Sequence, residues 1–430
     1  MLTINSNFPL RDQGISNAFS LDSLPRHRWY NVKEAFSPKI VEQALATDGV
    51  GRGELLFDPF SGSGTVPLTG AIKGLQSQAF EVNPFLRFLS ATKILQVSSS
   101  GFRRASRIIL RKTERPVVSP LEGYSTFSEG NRWGRWLFPT AVLRSFEAGM
   151  RELPKVDSEY KDLLQLALLG AVMDCCNATR DGKCLRYGKG WEDREATASH
   201  FRQRFEARAE IIASDLAATP LDRNCSIITE GDARRLIAAP IKAKFRLCVT
   251  SPPYLNSFDY SDVYRPELFL GEFVKSTQSL MNIRLKTIRS HVQASWKKPK
   301  RGDFGAIYSD CISSIREVAE YLWDPRIPAM VQAYFEDMES ILKGLRRRAR
   351  ANASVWLVVS TSAYAGVEVP VDLIIAEIGN RTGWFLREVG VLRYLRSSSQ
   401  HFKHVGDEDR RSVPLRESVV IFDAKRKISR

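Results

Sequence analysis

The chain lacks any apolar run approaching the ~20 residues that a membrane-crossing helix requires. Its mean hydropathy of −0.23 agrees with a water-facing surface. The opening stretch Met1-Leu-Thr-Ile-Asn-Ser-Asn7 lacks a basic-then-apolar export pattern, so a cytoplasmic protein is expected. Cysteine is scarce, at 6 in 430 residues. No Cys-x-x-Cys spacing occurs, and the adjacent Cys175 and Cys176 are poorly placed to bridge each other. Neither a disulfide framework nor a zinc ribbon is supported. Histidine is equally sparse. The one close pair, His401 and His404, sits among serine, glycine and charge, which reads as a loop, so no metal site is expected. No Gly-Lys-Ser/Thr closes a glycine-rich turn, which excludes a Walker loop, and there is no internal repeat. Acidic residues are outnumbered 48 to 63 by Lys and Arg, for a net charge of +15 and a pI near 9.6. That excess suits a polyanionic partner.

Against this background two short runs stand out. Thr250-Ser251-Pro252-Pro253-Tyr254 follows the apolar run Phe245–Val249. Consecutive prolines fix φ and remove two backbone donors. A neighbouring carbonyl is left to face a ligand, with a hydroxyl at Ser251 and a stacking ring at Tyr254. Read alone, the run serves equally as a turn closing a buried strand. The second run, Asp58-Pro59-Phe60-Ser61-Gly62-Ser63-Gly64-Thr65, lies between the strand-like Glu54–Phe57 and a helix start at Val66–Lys73. Gly62 and Gly64 permit positive φ and close ligand approach. A strand ending in an acid and a glycine turn before a helix is a nucleotide-type binding loop.

Seven strand-like runs are expected: Leu55–Phe57, Ala79–Glu81, Ser226–Ile228, Leu247–Val249, Val355–Val359, Val389–Leu392 and Val419–Phe422. Helical segments separate most of them, which implies an α/β sheet of parallel strands with its ligand edge at their C-terminal ends. Asp58, Glu81, Asp232 and Ser251 all fall at or just after such ends. Residues 98–225 read as a mostly helical insert, with Leu163–Cys176 as a buried helix.

These runs resemble the amino-group DNA methyltransferases that use S-adenosylmethionine. Asp58 to Thr65 resembles their cofactor loop, and Ser251-Pro252-Pro253-Tyr254 their catalytic motif in the form associated with N4-cytosine methylation. The resemblance implies a Rossmann-like seven-stranded sheet carrying a helical insert. It also implies that Glu81 meets the ribose hydroxyls, with Asn83 following, and that Asp232, with Ala233 beside it, meets the adenine amine. Trp29–Leu45 is similar to the segment that packs over the cofactor, and Leu415–Phe422 to the last strand. The expected units are residues 1–97 and 226–430, forming the catalytic sheet around the insert 98–225, with a second, basic insert at 265–330. Asp232 and Ser251 are too close for a recognition domain between them. Three stretches are left to read DNA: 98–225, 265–330 and 393–413.

Within those stretches, basic residues interleave with aromatics in Asn131–Trp136 and Thr179–Lys189. Arg180, Lys183, Arg186, Lys297, Lys298, Lys300, Arg301 and Arg396 are the candidate DNA contacts. The expected reaction is methyl transfer to the N4 amine of a flipped cytosine in duplex DNA, with a companion restriction endonuclease as a possible partner and the oligomeric state open. Adenine N6 methylation, an RNA amino-group methyltransferase and a catalytically silent nucleic-acid-binding module are the alternatives.

Overall fold

A computed structural model describes residues 3–14, 21–181, 184–194, 196–222, 226–240, 243–257, 259–395 and 415–426. Lys183, Arg396, His401 and His404 lie outside the described residues.

The strands of the main sheet are β1 (Ile4–Asn5), β2 (Leu55–Asp58), β3 (Gln76–Glu81), β6 (Ser226–Glu230), β7 (Phe245–Thr250), β8 (Ala349–Ser360), β11 (Phe385–Leu395) and β12 (Leu415–Asp423). Two small hairpins supply β4 (Ala178–Asp181) with β5 (Cys184–Tyr187), and β9 (Ser362–Tyr364) with β10 (Val367–Val369). The order across the main sheet is β1-β11-β12-β8-β7-β2-β3-β6. Neighbours run parallel except where β12 lies antiparallel between β11 and β8. This is the α/β architecture read from the sequence, with every expected strand present. The addition is β1, whose two residues are too few to show a pattern.

The period of two in β8 decides the layering. Val355, Leu357 and Val359 pack under α12 (Ala306–Glu317), α13 (Ile327–Arg348) and α14 (Val371–Arg381). Trp356 and Val358 point the other way, onto Ile40, Val41 and Ala44 of α1 (Pro38–Asp48). A strand covered on both faces is apolar at nearly every position, which is why this run was legible. Helix α1 begins at a Ser37 cap with Pro38 at its first position and stops at Gly49 in the left-handed region. Its Asp48 carboxylate accepts from the Trp356 indole at 2.9 Å and the Ser354 hydroxyl at 2.7 Å, tying helix to sheet.

The helices after β3 pack differently. These are α3 (Pro84–Lys93), α4 (Ser99–Lys112), α5 (Thr140–Glu152), α6 (Ser158–Asp174) and α7 (Ala198–Ala218). They share a core of their own, and Tyr264, Leu268 and Ile283 belong to it. Those last residues come from the stretch holding α9 (Tyr260–Val263), α10 (Arg265–Leu270) and α11 (Thr277–Lys286). The stretch after Tyr254 is therefore the wall where the helical part meets the sheet edge.

Candidate active site

The ends of β2, β3 and β7 meet at the C-terminal edge of the sheet, and the turns that leave them form one cradle. Ser61 donates its N–H to the Phe80 carbonyl at 2.8 Å, so the glycine turn leaving β2 lies against β3. Gly62, at φ 50°, donates its N–H to Glu81 at 2.8 Å, and Asn83 donates its own to the other carboxylate oxygen at 2.8 Å. Burial pushes the Glu81 carboxyl upward, and the N–H groups of Asn83, Gly62 and Val82 hold it back. The Asn83 side chain then caps α3, accepting from Phe85 at 3.0 Å. Gly64 caps α2 (Thr65–Ile72) at φ 84°. A Cβ there would lie 2.9 Å from the Ser90 Cα, so this glycine permits α3 to pack against the turn.

Asp58 lies beneath that turn and 1% exposed. It accepts from the Thr250 hydroxyl at 2.6 Å and from the Phe60 N–H at 3.0 Å. Burial raises its carboxyl to about 7, opposed by those two donors and reinforced by the charge of Glu81. The residue thus pins the end of β2 to the end of β7, directly before Ser251.

A cavity of about 450 Å³ opens above these strand ends. It is lined by Pro59, Phe60, Gly62 and Thr65 from the turn, by Glu81 and Asn83, by Asp232 and Ala233, and by all of Ser251, Pro252, Pro253 and Tyr254. Val32 to Phe36, the expected covering segment, form part of the wall. Thr65 fastens that segment by donating its hydroxyl to the Phe36 carbonyl at 3.2 Å. The two predicted motifs, some 190 residues apart in sequence by the Thr250–Asp58 separation of 192, therefore share one cavity. Asp58 and Gly64 are the two predicted cofactor residues that do not line it. Asp232 caps α8 (Ala233–Leu236) and holds the Arg234 guanidinium at 2.9 Å, and that arginine also reaches Asp337.

At the other end of the cavity the Ser251 hydroxyl lies 3.5 Å from the Tyr254 hydroxyl. Tyr254 donates to Glu417 at 2.5 Å, and the second Glu417 oxygen accepts from Arg393 at 2.7 Å. Glu417 is 1% exposed, and both it and Arg393 line the cavity. Sequence reasoning did not single out Glu417. It sits on β12, a strand recognised for its apolar neighbours, and an acid within such a run was the available signal. The turn after Tyr254 is clamped by the Tyr364 hydroxyl, which donates to the Leu255 carbonyl at 2.8 Å, and by Ser362 on the same carbonyl. Cys248 is buried within β7, and its thiol is pushed well up by burial and by Asp58. It is core, as read.

Among the candidate DNA contacts, Arg186, Lys297, Lys298, Lys300 and Arg301 are exposed. Arg180 corrects the expectation. Its guanidinium is turned inward against Glu267, lies 4.8 Å from the Tyr264 ring centre, and is not presented to a surface. The buried Glu267 carboxylate accounts for this, because an unpaired charge in that position would be costly.

The fold and the cavity together define an α/β protein in which a glycine turn and a proline corner meet at one sheet edge. The chain is distantly homologous to type II methyltransferases. It is 24% identical over 396 residues to M.AvaI of Nostoc sp., covering 86% of this chain and 81% of the relative. It is 22% identical over 448 residues to M.BsoBI of Geobacillus stearothermophilus, covering 92% and 85%. With M.MvaI of Kocuria varians it shares 19% over 386 residues, covering 82% and 80%. No family model matches the chain. Among solved structures, the rRNA methyltransferase AviRa from Streptomyces viridochromogenes superposes with a TM-score of 0.30 at 12% identity, covering 93% of this chain and 85% of that one. TrmN from Thermus thermophilus gives 0.29 at 9% identity, covering 90% and 49%. Superpositions this loose carry no argument.

Proposed function

We propose that the protein is an S-adenosylmethionine-dependent DNA methyltransferase of the type II class, acting on the N4 amine of a flipped cytosine in the cytoplasm. The observation that carries the reading is the shared cavity. A glycine turn with a buried acid at one end meets Ser251-Pro252-Pro253-Tyr254 at the other. The similarity to type II methyltransferases supports the class and a companion restriction endonuclease.

The residues suit the cofactor. A volume of about 450 Å³ is in the range of small-molecule sites. Glu34, Glu81, Asp232 and Glu417 place carboxylates in the wall, with Lys33, Lys286 and Arg393 beside them. In this reading Glu81 holds the ribose hydroxyls, Asp232 and Ala233 meet the adenine, and the turn from Pro59 to Thr65 surrounds the rest, with Asn83 closing the base of the pocket. When bound, the cofactor supplies a methyl group already activated on a sulfonium, so the chain's own task is alignment.

The acceptor end would perform that alignment. Flipping a cytosine costs about a few kcal/mol, and Tyr254 returns stacking to the displaced base. The oxygen of Ser251 and the carbonyl of Pro252 accept hydrogen bonds from the amine. That turns the nitrogen lone pair out of conjugation with the ring and toward the methyl donor. Pro253 keeps the corner rigid. No thiol takes part.

The test is transfer of a tritiated methyl group to duplex DNA and to RNA, followed by digestion to nucleosides and mass spectrometry. N4-methylcytosine in DNA is expected. N6-methyladenine would keep the site and change the amine. 5-Methylcytosine would overturn the chemistry, because that product needs a covalent ring intermediate.

A further inference from the structure

Two turns of the helical region, distant in sequence, come together on its surface. One is Asn131–Trp136 and the other is Cys184–Arg194. Their backbones are joined through Asn177, which donates its N–H to the Leu137 carbonyl at 2.8 Å and its side-chain amide to the Trp136 carbonyl at 3.3 Å. The Gly188 N–H reaches the Asn177 carbonyl at 3.5 Å. The rings of Trp136 and Trp191 meet edge to face at 4.8 Å, and Tyr187 lies 4.9 Å from Trp191. Arg135 sits over Tyr187 at 5.8 Å, and Arg132 over Trp133 at 4.6 Å. Trp133 is 54% exposed. Arg132, Arg135, Arg186, Lys189 and Arg194 are exposed around these rings, with Glu192 and Asp193 as the exposed acids of the second turn.

This face is continuous with the cavity wall. Arg180 of β4 packs over Tyr264, and Lys33 donates to the Arg180 carbonyl. Tyr264 and Lys33 both line the cavity. The hairpin β4–β5 therefore has its inner side against the site and carries the aromatic–basic face on from it.

Resting on the function proposed above, we infer that this face holds the DNA duplex beside the flipped nucleotide. Arginines and lysines interleaved with rings suit a polyanion with stacked bases, the arginines contacting phosphates and Trp133 offering a flat surface to sugar or to an unstacked base. The rival basic surface is less suited. Trp296, next to the 297–301 loop, is engaged by the His291 carbonyl and ring, and Arg301 is paired with Glu339 at 3.1 Å.

The experiment measures binding of a fluorescently labelled duplex by anisotropy over a range of salt. The proteins are wild type, Arg132→Gln/Arg135→Gln, Trp133→Ala, and Lys297→Gln/Lys298→Gln/Lys300→Gln. Because each phosphate contact contributes about 0.9 to the slope of log K against log salt, the double arginine variant should lower that slope by about 2. Trp133→Ala should weaken binding about tenfold with the slope kept. S-adenosylmethionine affinity by calorimetry and the circular dichroism melt should stay unchanged in both. A loss confined to the lysine variant, with the arginine variant on the wild-type slope, would overturn the assignment. A selective loss of binding to single-stranded RNA, with duplex binding intact, would overturn it in favour of RNA. Failure of the wild-type protein to methylate duplex DNA would instead remove the function on which the inference rests.

Discussion

The two ends of the cavity are built by different means. At the cofactor end, backbone N–H groups of Gly62, Val82 and Asn83 converge on Glu81, and Asp58 is held by Thr250 and the Phe60 N–H. At the acceptor end, side chain follows side chain, from Ser251 to Tyr254, Glu417 and Arg393. A cradle made of backbone is set by the path of the chain and has few ways to rearrange. A line of side chains keeps torsional freedom at each link. On the function proposed above, the difference matches two tasks: retaining one constant cofactor, and accepting a base that must enter from a duplex and leave again.

The comparison can be broken most severely at Gly62. A Cβ there meets nothing closer than the Phe60 carbonyl at 3.9 Å, so the cost of Gly62→Val is the strain of a β-branched side chain at φ 50° and not a clash. The positive φ and the added bulk beside the cavity should nevertheless abolish S-adenosylmethionine binding measured by calorimetry. Gly64→Ala should instead cost stability, through the clash with Ser90. Normal binding by a folded Gly62→Val protein would remove the cofactor end from the argument.

Next in size is Tyr254→Ala. Base stacking is worth about 1–3 kcal/mol, so turnover should fall by about 10- to 100-fold with cofactor affinity held within about twofold. A loss of cofactor affinity equal to the loss of turnover would mean that the two ends are not separable.

Glu417→Gln should lower turnover by about tenfold, in keeping with the loss of a charge-assisted hydrogen bond to the Tyr254 hydroxyl. Tyr254→Phe should produce a similar defect, and the double variant should be no worse than either. Strict additivity of the two would show that the hydroxyl and the carboxylate act apart.

The last effect is read on stability and concerns pH. Asp58 is held at about 7 in the folded protein, against about 3.9 in an unfolded chain. The folded state thus binds the proton more tightly, and the stability gained from this group is full below pH 4 and lost as pH rises through 7. Asp58→Asn, which stays neutral, should therefore gain in Tm relative to wild type between pH 5 and pH 8, as followed by scanning calorimetry. A difference in Tm that is flat across that range would contradict the buried, proton-retaining carboxyl.

The cofactor end was legible because its elements are local. Asp58-Pro-Phe-Ser-Gly62 occupies one turn that its glycine and leading acid mark, and Glu81 closes one strand, while the roles of Glu81 and Asn83 came from the family resemblance. The same holds for Ser251-Pro-Pro-Tyr254. The strands were legible because the central runs Val355–Val359 of β8 and Val419–Phe422 of β12 are covered on both faces and stay apolar. What escaped is what the fold assembles from a distance. Glu417 reaches Tyr254 across 163 positions, and the acid beside an apolar run that could have flagged it does not say which site it serves. Arg180 looked like a surface cation because Arg-Asp-Gly-Lys reads as a polar turn. Its partner Glu267 comes from α10, which sequence reading assigned to the start of the basic insert 265–330. The hairpin β4–β5 was hidden by the same mixture of charge and glycine.

The antiparallel insertion of β12 between β11 and β8 also governs when the site comes into being. The Asp58–Thr250 bond already spans 192 positions, and the Tyr254–Glu417 bond adds 163 more. Contacts of such separation form late and slowly, and a chain made from its N-terminus delivers β12 after everything it must slide between. The glycine turn after β2 can thus form before β12 has been made, whereas the partner of Tyr254 arrives with nearly the last strand. A nascent or C-terminally shortened chain would have the motif Ser251–Tyr254 without the acid that holds its tyrosine. In such a chain Tyr254 would lack both the Glu417 carboxylate and the Arg393 guanidinium behind it.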